Sequence, residues 1–477
     1  MTLISLLSIS PMICVGLAAV LVMLLVALHR TYTGAAVLTL IGLAAAFFTL
    51  PLMAGPRPHR LFLLMLNGYS ALYAGLLILA AAVCVLLTLG YLRKYQHNRE
   101  EFFILMLLAT LGAIVLATAD HFATFFLGLE LLSVSLYALI AYPHMTQGHI
   151  EAGIKYLVPA SVSSAFLLFG MSLIYAYSGH MEIGRIGYDL RAVQLHSGYQ
   201  WMIAGLSMMV VGIGFKLAVA PFHLWTPDVY QGAPAPVTAF VATVSKGAMV
   251  ALLLRLFTPG DIQTGTTLFW VFGIMAAVSM AAGNLLALHQ NNVKRILAYS
   301  SIAHLGYILV AFLAGGAMAL DAVTFYLLTY FVATLGCFGV ITVLSSPGRE
   351  MESLEDYRGL FRRNPWLAGV FAVMVLSLAG LPLTAGFIGK FYVALAGVGA
   401  SLWTLVIILV LTSTIGLYYY LRIIAALFAG VPEGGAAQPE PAFSSPDTFI
   451  LGFLTFLIVW LGVMPAAIIA MIRTMVR

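Results

Sequence analysis

The sequence predicts an all-α fold, a polytopic membrane protein of about fourteen transmembrane helices. Three observations carry this reading. Of the 477 residues, 62% are hydrophobic and only 8% charged, against about 25% charged in an ordinary soluble domain. The apolar residues gather into runs of about 20, the length that crosses a hydrocarbon core about 30 Å thick. Two regions, near 216–236 and 380–390, are interrupted by proline and glycine at matching places in the chain.

Taken in order, spans are expected near 11–28, 34–53, 70–92, 102–119, 121–142, 152–177, 200–222, 235–257, 267–288, 296–315, 321–345, 366–398, 402–428 and 447–472. The longest connections are 178–199, 346–365 and the Pro/Gly-rich 429–446. No basic residue precedes the first run, and the first to follow it is Arg30. That is the reverse of a cleaved signal peptide, so the run counts as the first helix. Orientation follows from the lysines and arginines of the loops. With the N-terminus outside, the cytoplasmic loops hold Arg30, Arg93, Lys94, Arg99, Lys294, Arg295, Arg349, Arg358, Arg362 and Arg363. The outer segments hold Arg57, Arg60, Arg185, Arg191, Arg473 and Arg477. An even number of spans returns the C-terminus to the same side. Both termini are therefore expected on the outer face of the membrane.

Several function classes are disfavoured. The net charge of +5 forms no basic patch or run, so there is no nucleic-acid footprint. Cys14, Cys84 and Cys337 lie far apart in apolar stretches and read as small buried residues. The chain has no Gly-rich phosphate loop, nucleotide fingerprint or HExxH helix. His304 is the one histidine well inside an expected span, whereas a membrane cytochrome needs paired axial ligands. No cofactor is expected in this chain.

The first interruption reads Lys216-Leu-Ala-Val-Ala-Pro221-Phe-His223-Leu-Trp225-Thr-Pro227-Asp228, followed by Gly232, Pro234 and Pro236. The second reads Gly380-Leu-Pro382-Leu-Thr384-Ala-Gly386-Phe387-Ile388-Gly389-Lys390. Proline removes a backbone donor and glycine loosens a helix. In a bilayer such breaks persist only where protein or a water-filled cavity satisfies the freed groups. Each break is read in the fourth helix of a five-helix block, and each block has a lysine shortly after Gly and Phe. A block with an odd number of helices must invert on repetition, and paired broken helices mark a transport pathway. The expected divisions are a three-helix segment, 1–101; a first five-helix repeat forming a half-channel, 102–257; a second, inverted one, 267–428; and a loop with the last helix, 429–477.

Of six lysines, Lys94 and Lys294 are expected in loops, and Lys155, Lys216, Lys246 and Lys390 within spans. Glu130 is the one glutamate at mid-span. Each such charge costs roughly 2.5–3.5 kcal/mol at a helix centre. Five facing lipid would cost on the order of 12–17 kcal/mol, as much as an ordinary fold is stable. They must therefore turn inward, pair or meet water. Burial weakens a lysine's hold on its proton and a nearby carboxylate restores it, so a Glu–Lys pair that opens and closes is a proton switch. Imidazole titrates near neutral pH, which makes His304 the natural intermediate.

Plainer roles stand beside these. Lys155 follows Glu151 by one helical turn and fits a helix-end ion pair. Lys216 and Lys390 could plug carbonyls loosened by the breaks. His223, beside Pro221, is an accessory candidate or a loop histidine. His121 and Asp228 read as cap residues. Ser133 and Tyr137 share a face with Glu130 and either bond to it or pack.

Three stretches resemble the antiporter-like subunits of respiratory complex I. One runs from Gly212-Ile-Gly214-Phe-Lys216 through Pro221-Phe-His223-Leu-Trp225-Thr-Pro227-Asp228 to Ser245-Lys246. The second is Asn292-Val-Lys294-Arg295-Ile-Leu-Ala-Tyr299-Ser300-Ser301-Ile-Ala-His304-Leu-Gly306, and the third Gly380-Leu-Pro382 to Lys390-Phe391. The resemblance covers essentially the whole chain. Within the family the wording Pro227-Asp228-Val-Tyr230-Gln231-Gly232-Ala233-Pro234, Lys390, and an end soon after the last helix are most similar to the subunit N type of bacterial NADH–quinone oxidoreductase. The resemblance implies that Glu130 and Lys216 form the tuning pair and that Lys246 is the central relay lysine. His304 would bridge toward Lys390, and Lys155 would be a further membrane lysine. It also implies a hetero-oligomer with other membrane-arm subunits, with NADH, FMN, iron–sulfur clusters and quinone in those partners. Mrp-type sodium/proton antiporters and membrane-bound hydrogenases use the same module.

Overall fold

An apolar run in lipid must satisfy its backbone without water, which a helix does by closing each N–H onto a carbonyl four residues back, and the described residues do so almost throughout. The computed structural model describes residues 3–55, 58–93, 99–142, 147–186, 199–257, 266–346, 350–430 and 445–476. Arg57, Lys94, Arg191, Arg349 and Arg477, used above for orientation, lie outside the described residues.

Among the described residues, 13 helices are long and apolar enough to cross a membrane. The remaining expected span, 366–398, is two shorter helices in series, Pro365–Ala379 and Ala385–Gly399. The elements used below are α1 (Ser10–Leu28), α2 (Tyr32–Phe48), α3 (Gly68–Arg93), α4 (Glu101–Thr118), α5 (Phe122–Ala141), α6 (Gln147–Ser178) and α7 (Tyr199–Leu217). There follow the short α8 (Trp225–Gly232), α9 (Ala235–Phe257), α10 (Thr267–Leu288), α11 (Val293–Ala314), α12 (Gly316–Leu344), α13 (Pro365–Ala379), α14 (Ala385–Gly399) and α15 (Trp403–Phe428). The chain closes with α16 (Ser445–Val463) and α17 (Ala466–Val476).

Position within the bundle sorts the helices. The apolar window of α9 is wholly buried, and α11 and α12 are nearly so. These three form the centre, and α9 packs on α12 there. Helices α1, α2, α6, α15 and α16 turn large apolar side chains outward, Leu17, Ile41, Phe169, Leu411 and Phe456 among them. Such faces suit lipid or a neighbouring subunit. One element departs from an all-helical plan. His59–Leu61 and Leu64–Leu66 form an antiparallel hairpin that pairs Arg60 with Met65.

Polar staples fix the ends of the bundle. The Arg255 guanidinium, at the end of α9, donates to the carbonyls of Met65 (3.2 Å) and Thr118 (2.9 Å) and to Ser70 Oγ (2.8 Å). It thereby ties the hairpin and α4 to the central helix. Arg473 of α17 pairs with Asp321 of α12 at 2.8 Å. Lys294 corrects an expectation. It is not a loop residue but the second residue of α11, fully buried, and it ion-pairs with Glu350 while donating to the Ala233 carbonyl. Glu350 also accepts from Tyr91 Oη (2.8 Å) and from the Ala235 amide (3.1 Å) at the start of α9. A basic residue at the edge of an apolar run reads as a loop residue when its acid is 56 positions away.

Close helix approach depends on small residues, because lipid gives apolar helices no hydrophobic reason to associate. At the α4–α5 crossing, a Cβ on Gly128 would lie 2.7 Å from the Leu116 amide nitrogen, and one on Gly112 would lie 2.5 Å from that of Leu132. Gly128→Val is therefore expected to push α5 from α4 and destabilise the fold by about 1–3 kcal/mol. The check is thermal unfolding of the purified protein, with Gly148→Ala, where a Cβ meets nothing within 4 Å, as the neutral control.

Candidate functional site

The two interruptions are real breaks, and protein groups satisfy them. In the first, α7 ends at Leu217, Ala218 takes φ +61°, and the chain turns until α8 begins at Trp225. Trp225 Nε1 donates to the Phe215 carbonyl at 3.1 Å, and the Ala220 amide donates to Ser279 Oγ at 2.8 Å. In the second, α13 ends on Gly380 at φ +84° and α14 begins at Ala385. The Gly386 amide donates to Ser377 Oγ at 3.1 Å, and an added Cβ there would lie 1.8 Å from the Ser377 carbonyl oxygen. Only glycine fits. The lysines are not placed alike. Lys216 closes the helix before its break, while Lys390 sits in the helix after its own.

Lys216 is buried, 4% exposed. Its Nζ donates to Ser133 Oγ of α5 at 2.7 Å and lies 5.6 Å from the centre of the Tyr156 ring. Glu130, half-buried one turn earlier on α5, accepts a 2.5 Å hydrogen bond from Ser164 Oγ of α6. Among the described residues the two charges make no direct ion pair, and each holds a serine. Ser133 thus bonds to the lysine rather than to the glutamate on its own helix. Tyr137 packs its ring against Tyr156 at 5.5 Å.

Lys246, 1% exposed, follows a π-helical turn at Val241–Ser245 within α9. Such turns add a residue to one helical turn and are frequent at functional sites. Its Nζ donates to Ser301 Oγ of α11 at 2.6 Å. Ser301 Oγ lies 2.7 Å from Tyr330 Oη and 3.4 Å from Tyr230 Oη. One turn on, His304 is held on both sides. Nδ1 lies 2.6 Å from Tyr326 Oη and Nε2 lies 3.1 Å from Tyr420 Oη. Tyr420 Oη is in turn bonded to Ser300. Lys390 Nζ donates to Ser413 Oγ and to the Ala379 carbonyl, both at 2.8 Å, and faces the Tyr307 ring at 5.4 Å. The carbonyl belongs to the last residue of α13, so Lys390 does plug its break, while it also holds a hydroxyl.

Lys155 stands apart from this group. Its side chain is 46% exposed and pairs with Glu151 at 2.7 Å and Asp228 at 3.2 Å. Asp228 is no helix cap. It lies in the first turn of α8 and bridges Lys155 to Arg295 of α11, the latter at 2.6 Å. His121 does cap α5, its Nδ1 accepting from the Ala123 amide at 3.0 Å. His223 is buried within the first break, and among the described residues no well-formed hydrogen bond reaches either ring nitrogen. Among the described residues no cluster of histidine, cysteine or acids could hold a metal ion.

Sequence reading missed the hydroxyl partners, Ser164, Ser301, Tyr326, Tyr330, Tyr420 and Ser413. Ser301 lies inside the stretch from Asn292 to Gly306, and Tyr326 and Tyr330 share a helix face by spacing. Hydroxyls are ordinary in apolar helices, so nothing local distinguished these from packing residues.

Ser133→Ala removes the one hydrogen bond that the Lys216 ammonium makes among the described residues. It is expected to cost about 1–3 kcal/mol, the penalty for leaving a buried donor unmet. Thermal unfolding checks this, with Ser172→Ala, an exposed hydroxyl bonded to its own helix, as the comparison.

Residues 119–416 match the transmembrane family described as NADH:quinone oxidoreductase/Mrp antiporter. Among solved structures, the chain is similar to one in respiratory complex I from Thermus thermophilus with bound aureothin. The TM-score is 0.83 and the identity 34%, over 96% of this chain and 98% of that one. It shares its fold with a chain of the membrane-bound sulfane sulfur reductase, an archaeal respiratory membrane complex (TM-score 0.85, 22% identity, 99% and 97% covered). It shares it also with a chain of the Mrp complex from Dietzia sp. DQ12-45-1b (TM-score 0.85, 21% identity, 100% and 97% covered). The breadth of the family match and the identity to the Thermus chain go beyond fold alone, and this chain belongs to the NADH:quinone oxidoreductase/Mrp antiporter transmembrane family.

Proposed function

We propose that this chain is the proton-translocating, antiporter-like membrane-arm subunit of an NADH:quinone oxidoreductase, of the subunit N type. One observation carries the reading. Three lysines and a histidine, all inside the bundle, are each held by side-chain hydroxyls from other helices. The chain lies in a bacterial inner membrane with both termini periplasmic, among other membrane-arm subunits. NADH, FMN, iron–sulfur clusters and quinone belong to those partners, and quinone reduction there drives this chain.

Protons are taken up from the cytoplasm through the first half-channel, 102–257, and reside on Lys246. They pass by way of His304 to Lys390 in the second half-channel, 267–428, and leave outward. The Glu130–Lys216 pair sets the timing. Apart, as described above, each charge is held by a serine. Together, the carboxylate strengthens the lysine's hold on its proton. Three hydrogen-bonded segments lie along the route, Lys246–Ser301–Tyr330, Tyr326–His304–Tyr420–Ser300 and Lys390–Ser413. Water joining polar groups of this kind is a normal part of a protein interior. Lys155, with its two acids, serves at the rim of the first half-channel, with His223, Tyr137 and Ser133 as accessories.

Glu130→Ala or Lys246→Ala is expected to cut proton translocation per NADH oxidised by about tenfold, the effect of losing one buried charged partner. The measurement is dye-monitored acidification in sealed inverted vesicles whose complex is fully assembled. Normal pumping by the double variant would overturn the relay. Gentle purification from the native membrane is expected to bring flavin, iron–sulfur absorbance and NADH-driven quinone reduction. Recovery of small hydrophobic partners with sodium/proton exchange alone would assign the chain to an Mrp-type antiporter instead.

A further inference from the structure

Lys246 and Ser301 belong to different halves of the chain. Lys246 stands on α9, the last helix of residues 102–257, and Ser301 on α11 of residues 267–428. Among the described residues their 2.6 Å bond is the one hydrogen bond made by the Lys246 ammonium. The groups around it are closed off from bulk solvent. Ser301 is 1% exposed, Tyr330 3% and Tyr230 0%.

The valence of the serine oxygen is informative. A hydroxyl offers one donor and two acceptor positions. Ser301 Oγ has three polar neighbours, Lys246 Nζ, Tyr330 Oη at 2.7 Å and Tyr230 Oη at 3.4 Å. The ammonium can only donate, so it takes one acceptor position; Tyr330 bonds the hydroxyl closely, and Tyr230 stands at the outer limit of a hydrogen bond beside it. Tyr230 also offers its ring face to the ammonium at 5.4 Å. Ser301 therefore acts as a fixed stop for the lysine head. It is set one helical turn from His304 on the same face of α11.

We propose that Ser301, clamped by Tyr330 and Tyr230, is the positioning residue that aims the Lys246 ammonium out of the first half of the chain and toward the second. This rests on the relay reading above. A lysine side chain has about four rotatable bonds and many rotamers. Without the stop its head has no reason to favour the side where His304 lies.

The test uses the whole complex in inverted vesicles, with protons pumped per NADH oxidised as readout and subunit content checked in each variant. Ser301→Ala is expected to lower the ratio by about tenfold, as befits a lost hydrogen bond to a charged group. Ser301→Thr, which keeps the hydroxyl, restores it. Tyr330→Phe, which removes one clamp and leaves the serine, gives a smaller loss and serves as the deciding variant if Ser301→Ala does not assemble. Lys246→Ala is run beside them. If Lys246→Ala pumps normally, the relay itself fails. If Lys246→Ala fails to pump while Ser301→Ala or Tyr330→Phe pumps as the parent does, the positioning role alone is overturned. A threonine variant as defective as the alanine one overturns it as well, because the hydroxyl is then irrelevant.

Discussion

An ammonium group taken from water into a low-dielectric interior loses several kcal/mol of solvation, and the arrangement of this bundle follows from how that loss is met. Two solutions coexist. Lys294 meets it with a carboxylate, Glu350, reinforced by a carbonyl. Lys216, Lys246 and Lys390 meet it with serines and aromatic faces. A full ion pair in a dry site holds its charge fast. A neutral hydroxyl stabilises the charge less and accommodates the uncharged amine as well, since it can donate as readily as accept. The lysines of the bundle interior thus fall into two kinds by partner, one held by a carboxylate and three held by hydroxyls.

The breaks serve the same end by a different route. A continuous helix has no spare polar groups at mid-membrane. Interrupting it exposes carbonyls and amides that must be paired, and their partners here are Trp225, Ser279, Ser377 and Lys390. Each break is therefore a polar island within an apolar bundle, and each lies near a lysine. The π-turn before Lys246 is a milder device of the same kind. It reaims the helix without ending it.

The helices and their breaks were legible because both are one-dimensional. Runs of apolar residues and clusters of proline and glycine need no knowledge of neighbours. The same holds for the lysines as exceptions within such runs. Partnership is what the sequence withholds. Lys294 looked like a loop residue because Glu350 is remote in the chain, and Asp228 looked like a cap because Lys155 and Arg295 are. Lys155 sits within an apolar run but carries its charge on a half-exposed side chain, since a helix has an outside that composition does not reveal. The hairpin at 59–66 was hidden by its shortness, and the hydroxyl partners of the relay candidates by being common residues.

Each serine–lysine bond joins two different helices. Ser133 of α5 meets Lys216 of α7, Ser301 of α11 meets Lys246 of α9, and Ser413 of α15 meets Lys390 of α14. A bond to an ammonium is about twice as strong as one to a neutral amine. The arrival or departure of a proton therefore changes the force between the two helices. Titration and helix spacing become a single coordinate, and a displacement applied at the edge of the bundle can be felt as chemistry at its centre.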